Sequence, residues 1–486
     1  MLRSVLALAA GLALATSALA TNVSAQESAL SIVSIPVSSR AELNALMRRV
    51  NLDLVDTAGD HVTACVNPRE IAALKAAGIP FKVTYEDALD LIQEVRPLTS
   101  GVGAYHTYDS VNQEMNAWAT ALPDVVKVAK IGASVEGRAI NALTIQAPGA
   151  APLAERPKFL VMGLHHAREW ISVEVPMALI KTLLTGWQSG DSNIKALLSS
   201  RTLTFVPIVN PDGLEYSQKS YTMWRKNRHK TWSMPGTNGV DPNRNYGFEF
   251  VGSGSSSMAF SETYRGPAPF SEPETQAIRD LADREHFTAS ISYHSYSELV
   301  LFPWGYTENH CQDDGKFRKL ATEMAAINKY KPQTGADLYL VNGECDDYLY
   351  GKLGTWAYTI ELARSFIPKD SEIPNIVAPN VKAALHAIEQ AGTLAQDPGI
   401  MLHLVERLAG APGAPKGPWS PGAANDSARR STLDWAAREL GHRLSALGNS
   451  EGRAAIQPYL EQLSAHAAGT LPELKAAARA AVAATR

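Results

Sequence analysis

Cysteine is scarce in this chain: Cys65, Cys311 and Cys345 are the only three among 486 residues. Three thiols cannot make the disulfide framework that staples small exported domains, so an apolar core has to carry the fold. Export would still permit one bridge, and Cys311 and Cys345 are the pair that fall within one unit of the chain. An excess of one charge is also missing. The 45 Lys and Arg stand against 49 Asp and Glu, a net of −4, which removes the electrostatic case for nucleic acid or an anionic membrane surface. Beyond the first 25 residues no apolar run is long enough to cross a bilayer. What remains is an ordinary globular composition, 45% hydrophobic, at a length that calls for more than one domain.

Met1-Leu2-Arg3, the apolar run Val5–Ala15 and the small-residue sites Ala18-Leu19-Ala20 or Val23-Ser24-Ala25 read as a signal peptide over 1–25. They imply secretion, extracellular or periplasmic. Residues 26–100 form a separate unit. Leu30–Val37 alternates as a strand, and Ser39 caps a helix over Arg40–Val50. Leu52–Val55 and His61–Val66 pair around Ala58-Gly59-Asp60. Asn67-Pro68-Arg69-Glu70 opens a second helix that Gly78 closes, and Phe81–Tyr85 is the last strand. The order β-α-β-β-α-β is ferredoxin-like. Pro97–Ala104, rich in Pro, Gly and Ser, is an exposed linker. From 101 to 397 strands and helices alternate as in an α/β fold with a mixed central sheet sandwiched by helices. Residues 398–426 read as a linker, and 427–486 as a helical extension with amphipathic stretches at Leu433–Leu447 and Leu474–Ala484.

Chemistry concentrates at the ends of apolar runs. Lys158–Met162 has the flanks of a buried parallel strand and delivers Gly163-Leu-His-His-Ala-Arg-Glu-Trp170. In open α/β sheets ligands bind beyond the carboxyl ends of strands. His166 and Glu169, three apart, can point one way on a turn, and two imidazoles with a carboxylate suit catalytic Zn²⁺. Ala289–Tyr293, a second strand-like run, supplies His294; a third, Thr355–Ile360, ends in Glu361. A carboxylate there needs a partner or a task, and beside a zinc site that task is general base and acid. Arg225 lies on one intervening loop, and Asn243 with Arg244 on another makes a fork for a planar carboxylate. The residue types describe a zinc hydrolase that holds a free carboxylate.

In this order and spacing, His-x-x-Glu at 166/169, Trp-Arg-Lys at 224–226, Asp-x-Asn-Arg-Asn at 241–245, His-Ser-Tyr at 294–296 and Glu361 resemble the zinc carboxypeptidases of the pancreatic A and B type, with their secreted bacterial relatives. The resemblance implies one Zn²⁺ on His166, Glu169 and His294, with Asp241 orienting a ligand imidazole. Glu361 would be the general base and acid and Arg225 the oxyanion cation. Asn243 and Arg244 would clamp the terminal carboxylate, Tyr339 would close over substrate, and Arg168, Ser295 and Tyr296 would line remoter subsites. Asp346, 15 positions before Glu361, matches the floor of the side-chain pocket and implies a preference for C-terminal Lys or Arg, with apolar ends also accepted in some relatives. Glu344 stands where the family has a small residue. Residues 26–100 then resemble an activation propeptide, released by a protease near 96–105, and the enzyme would act as a monomer on peptide and protein C-termini. A cell-wall carboxypeptidase cutting peptidoglycan stem peptides is the second reading, and an inactive binding protein the third.

Overall fold

The computed structural model describes residues 30–57, 59–149, 152–153, 156–231, 238–408 and 471–483, with scattered positions between 432 and 457. The signal peptide expected at 1–25 and the stretch 409–426 of the expected linker lie outside the described residues, as does part of Leu433–Leu447.

The N-terminal unit is an antiparallel sheet of β1 (Ser31–Pro36), β2 (Asp53–Asp56), β3 (His61–Val66) and β4 (Lys82–Tyr85) in the order β2-β3-β1-β4. Helices α1 (Arg40–Arg49) and α2 (Pro68–Ala76) begin where their caps predict. The Ser39 hydroxyl accepts from the Glu42 amide, and Asn67 and Glu70 exchange bonds in a capping box. Val33, Ile35, Leu43, Met47, Val62 and Leu74 fill the core between sheet and helices. A third helix, α3 (Leu89–Val95), follows without a side-chain cap and was not expected from the sequence.

The larger unit is built on an eight-stranded sheet: β5 (Val126–Ala133), β6 (Ala139–Ile145), β7 (Lys158–Gly163), β8 (Thr202–Val206), β9 (Ala289–Ser295), β10 (Leu299–Phe302), β11 (Lys331–Thr334) and β12 (Trp356–Leu362). Their order is β11-β10-β12-β9-β7-β8-β6-β5. The inner strands β12, β9, β7 and β8 run parallel, and β10 and β6 flank them antiparallel. Side chains alternate across β7. Phe159 and Val161 enter a core with the helices Ile171–Ser189 and Ile373–Gln396, while Leu160 and Met162 enter one with Pro273–Glu285 and Cys345–Leu353. Covering both faces is what makes the inner strands continuous apolar runs. Each large side chain so buried contributes ~1.5–3 kcal/mol.

One expectation is corrected, and one question the sequence left open is answered. Residues 398–408 are helix Pro398–Leu408 rather than linker, because Ile400, Met401, Leu404 and Val405 recur at helical spacing and are buried. All three cysteines are buried thiols, so Cys311 and Cys345 are not bridged. Among the described residues no helix is long and apolar enough to cross a membrane.

Candidate active site

Three adjacent parallel strands end on the same edge, and each delivers one part of the site. β7 stops at Gly163, where a Cβ would stand 2.5 Å from the Ser172 carbonyl and 2.8 Å from that of Pro207. Leu164 then turns the chain at φ 55°, and the Glu169 amide donates to the His166 carbonyl at 3.2 Å, closing the turn that aims both side chains inward. His294 lies on β9, and strand register sets Glu361 of β12 beside it.

His166 Nδ1 lies 2.7 Å from Glu169 Oε1, His294 Nδ1 lies 3.1 Å from Glu169 Oε2, and the two Nδ1 atoms are 3.2 Å apart. All three side chains are buried. Each ring's other nitrogen is engaged outward, His166 Nε2 with Asp241 Oδ1 at 3.2 Å and His294 Nε2 with the Ser292 hydroxyl at 3.1 Å. Two imidazole nitrogens facing one carboxylate, with their opposite nitrogens occupied, form a donor set for a cation, and borderline-soft Zn²⁺ suits it. This is the metal-capable cluster found among the described residues. His165 is not part of it. It reaches the Tyr246 hydroxyl at 2.9 Å, and burial, with His294 and His166 nearby, holds it well below the usual imidazole range.

Asp241 joins the cluster to the cations. Its Oδ2 accepts from Arg225 Nε and Nη2 at 3.0 and 2.9 Å. Burial opposes its charge, yet Arg225, His166 and Arg244 hold the carboxyl well below the usual range. Arg244 is fixed by the Gly254 and Asn243 carbonyls, both at 2.7 Å, with the Tyr339 hydroxyl at 3.4 Å. The Asn243 carbonyl oxygen of the side chain accepts from the Cys345 amide at 2.9 Å. Asp346 accepts from the Thr359 hydroxyl at 3.3 Å, and burial raises its carboxyl. Asp347 instead accepts from the Gly305 and Tyr306 amides, a structural role. Burial, supported by Glu169 against the pull of His294, pushes Glu361 up to about 8. His166, Glu169, His294, Arg168, Arg225, Asn243, Arg244, Ser295, Tyr296, Tyr339, Asp346 and Glu361 all line one cavity, and Glu344 lines it too.

The residue the sequence did not reveal is Asp53, on β2 of the N-terminal unit. Its Oδ2 accepts from Arg168 Nη2 at 2.7 Å, and its Oδ1 lies 3.6 Å from Arg225 Nη1. Leu54, Val55, Asp56 and Thr57 line the same cavity, which keeps about 50 Å³, far below the ~300–1,000 Å³ of a site that holds a ligand. Further contacts seat the unit: Arg40 pairs with Asp337, Asn44 bonds Glu308, and Asn67 Nδ2 donates to the Phe260 carbonyl at 2.8 Å.

A buried two-imidazole, one-carboxylate cluster at the carboxyl edge of a mixed α/β sheet, with a glutamate beside it and an arginine fork beyond, defines a metal-dependent hydrolase. The zinc carboxypeptidase model of the M14 peptidases matches residues 111–383. A "Zinc carboxypeptidase" of Saccharothrix mutabilis subsp. capreolus is 30% identical over 370 residues, 69% of this chain and 83% of that protein. "Carboxypeptidase B" of Astacus astacus is 32% identical over 286 residues, 56% of this chain and 92% of its own. The crystal structure of thrombin activatable fibrinolysis inhibitor superposes with a TM-score of 0.60 at 26% identity, covering 75% of this chain and 99% of that one. The chain belongs to the zinc carboxypeptidase family, whose members use zinc.

Proposed function

We propose that this protein is an exported, zymogen-type zinc carboxypeptidase that releases C-terminal Lys and Arg. The observation that carries the reading is the meeting of His166, Glu169 and His294 with Glu361, Arg225 and Arg244 in one buried cavity. His166, Glu169 and His294 hold zinc, which when bound supplies Lewis acidity and lowers the pKa of a water. Glu361 takes the proton of the attacking water and hands it to the leaving amine. Arg225, locked on Asp241, faces the negative charge that develops on the scissile carbonyl oxygen, an interaction worth ~3–4 kcal/mol for one such donor. Asn243 and Arg244 hold the terminal carboxylate, which an internal peptide lacks, so cleavage stays at the chain end. Asp346 receives the side-chain cation.

Asp53 supports the zymogen reading. It occupies Arg168 and bears on Arg225 from a strand that also narrows the cavity. Processing falls within 97–104, most of which is exposed. Arg96 itself is buried and paired with Asp370 at 3.1 Å, so cleavage after it is disfavoured.

The test uses the full zinc-loaded chain before and after limited proteolysis, on blocked dipeptides ending in Arg or Phe. Expected are activity gained on processing, abolished by chelation, and favouring Arg. Cleavage of neither substrate by folded, processed, zinc-loaded protein would overturn the reading.

A further inference from the structure

Glu344 sits at the N-cap position of the helix Cys345–Leu353, two residues before Asp346. A carboxylate there ordinarily turns back to accept from the helix's first amides, but this one makes no cap bond. Its side chain is 15% exposed and lies with Oε1 3.6 Å from Arg244 Nη1. Gly305 makes room for it, since a Cβ at that position would stand 2.4 Å from Glu344 Oε2. The carboxylate is thus turned away from its helix and is mostly withdrawn from bulk water, towards the cavity that Asp346 also lines. Burial and the neighbouring Asp346 push its carboxyl well above the usual range, against the pull of Arg244.

We propose that Glu344 is a second specificity carboxylate, which exchanges Arg244 for the side-chain cation of a C-terminal Lys or Arg and so discriminates against apolar and acidic chain ends. The inference rests on the carboxypeptidase reading above. A basic chain end brings two charges: its carboxylate takes Arg244, and its cation replaces Arg244 as the partner of Glu344. An apolar end brings only the carboxylate. It draws Arg244 away and leaves the largely desolvated Glu344 beside Asp346 without that cation, a state that must be neutralised or avoided. The selectivity therefore comes as much from a penalty on the wrong substrate as from attraction to the right one.

The experiment compares wild type, Glu344→Gln, Glu344→Asp and Asp346→Asn, each as full chain, zinc-loaded and processed within 97–104, on blocked dipeptides ending in Arg, Lys and Phe. Glu344→Gln is expected to lower the Arg:Phe ratio of kcat/KM about tenfold or more, mainly through KM and largely by improving the Phe substrate. Glu344→Asp should keep most of the ratio. Zinc content and thermal midpoint serve as folding controls, and Glu344→Gly repeats the measurement if the Gln variant does not fold. A ratio unchanged by Glu344→Gln but collapsed by Asp346→Asn overturns the inference and leaves the basic-specific reading standing. An equal KM change for Arg and Phe ends overturns it too, since Glu344 would then act on Arg244 alone. Failure of wild type to cleave any of the three overturns the reading and the inference together.

Discussion

The same parallel strands carry charge at both of their ends and treat it in opposite ways. At the amino end, Lys158 pairs with Glu285 at 2.8 Å while both remain about a quarter exposed, and Arg284 shares the same carboxylate. Arg201 donates to the carbonyls of Ile388 and Glu389. Lys158, Arg201 and Arg284 each have a partner and access to water. At the carboxyl end the charges are mostly withdrawn from water: His166, Glu169, His294 and Asp241 are buried, desolvation pushes Glu361 up to about 8, and Glu344, 15% exposed, has Arg244 at 3.6 Å. Ion pairs that satisfy each other stabilise a fold modestly. Groups that conflict until something arrives between them mark the place where a ligand completes the structure.

Breaking the carboxyl end should cost most. Glu361→Gln is expected to lower kcat by ~10²–10⁴, with zinc content and thermal midpoint unchanged; loss of bound zinc would place Glu361 among the ligands instead. Next comes Asp241→Asn. Weakening its hold on His166 should reduce zinc affinity roughly 10–100-fold, as read by competition with a chelator of known affinity.

The interface between the two units sharpens the comparison through pH. Burial pushes Glu70 of α2 up to about 8, with Glu262 facing it. The closed interface therefore holds the protonated form. Its contribution is complete below the ordinary carboxylate value near 4.5 and is lost as pH rises towards about 8. Urea midpoints for the N-terminal unit should fall between pH of about 5 and about 9, and Glu70→Gln should flatten that slope. The smallest effect belongs to the amino end. Lys158→Met should change stability by less than ~1 kcal/mol and leave kcat/KM alone, so a catalytic effect there would undo the contrast.

What could be read from the sequence was whatever chemistry sits where a local pattern stops. His166, Glu169, His294 and Glu361 each follow or end an apolar run, so residue type and position along a strand were enough to nominate them. Asp53 had no such flag. It looks like an ordinary residue of a short strand and gains meaning only by meeting Arg168, 115 positions away. Helix Leu89–Val95 lacks a capping side chain, and Pro398-Gly399 disguised the start of a buried helix as a linker. Glu344 was visible as a misfit, but only packing against Gly305 and Arg244 shows which way it turns.

Asp241 has one oxygen on His166 and the other on Arg225. A carboxylate is a rigid plane, so tilting one end tilts the other. The His166 ring and the Arg225 guanidinium are thus geared together. With His166 as the metal ligand proposed above, exchanging zinc for an ion of different radius would shift its ring and, through this single side chain, swing the Arg225 guanidinium. In the proposed mechanism, metal substitution should therefore retune charge stabilisation at the carbonyl along with Lewis acidity, and the two effects would not separate by changing the ion alone.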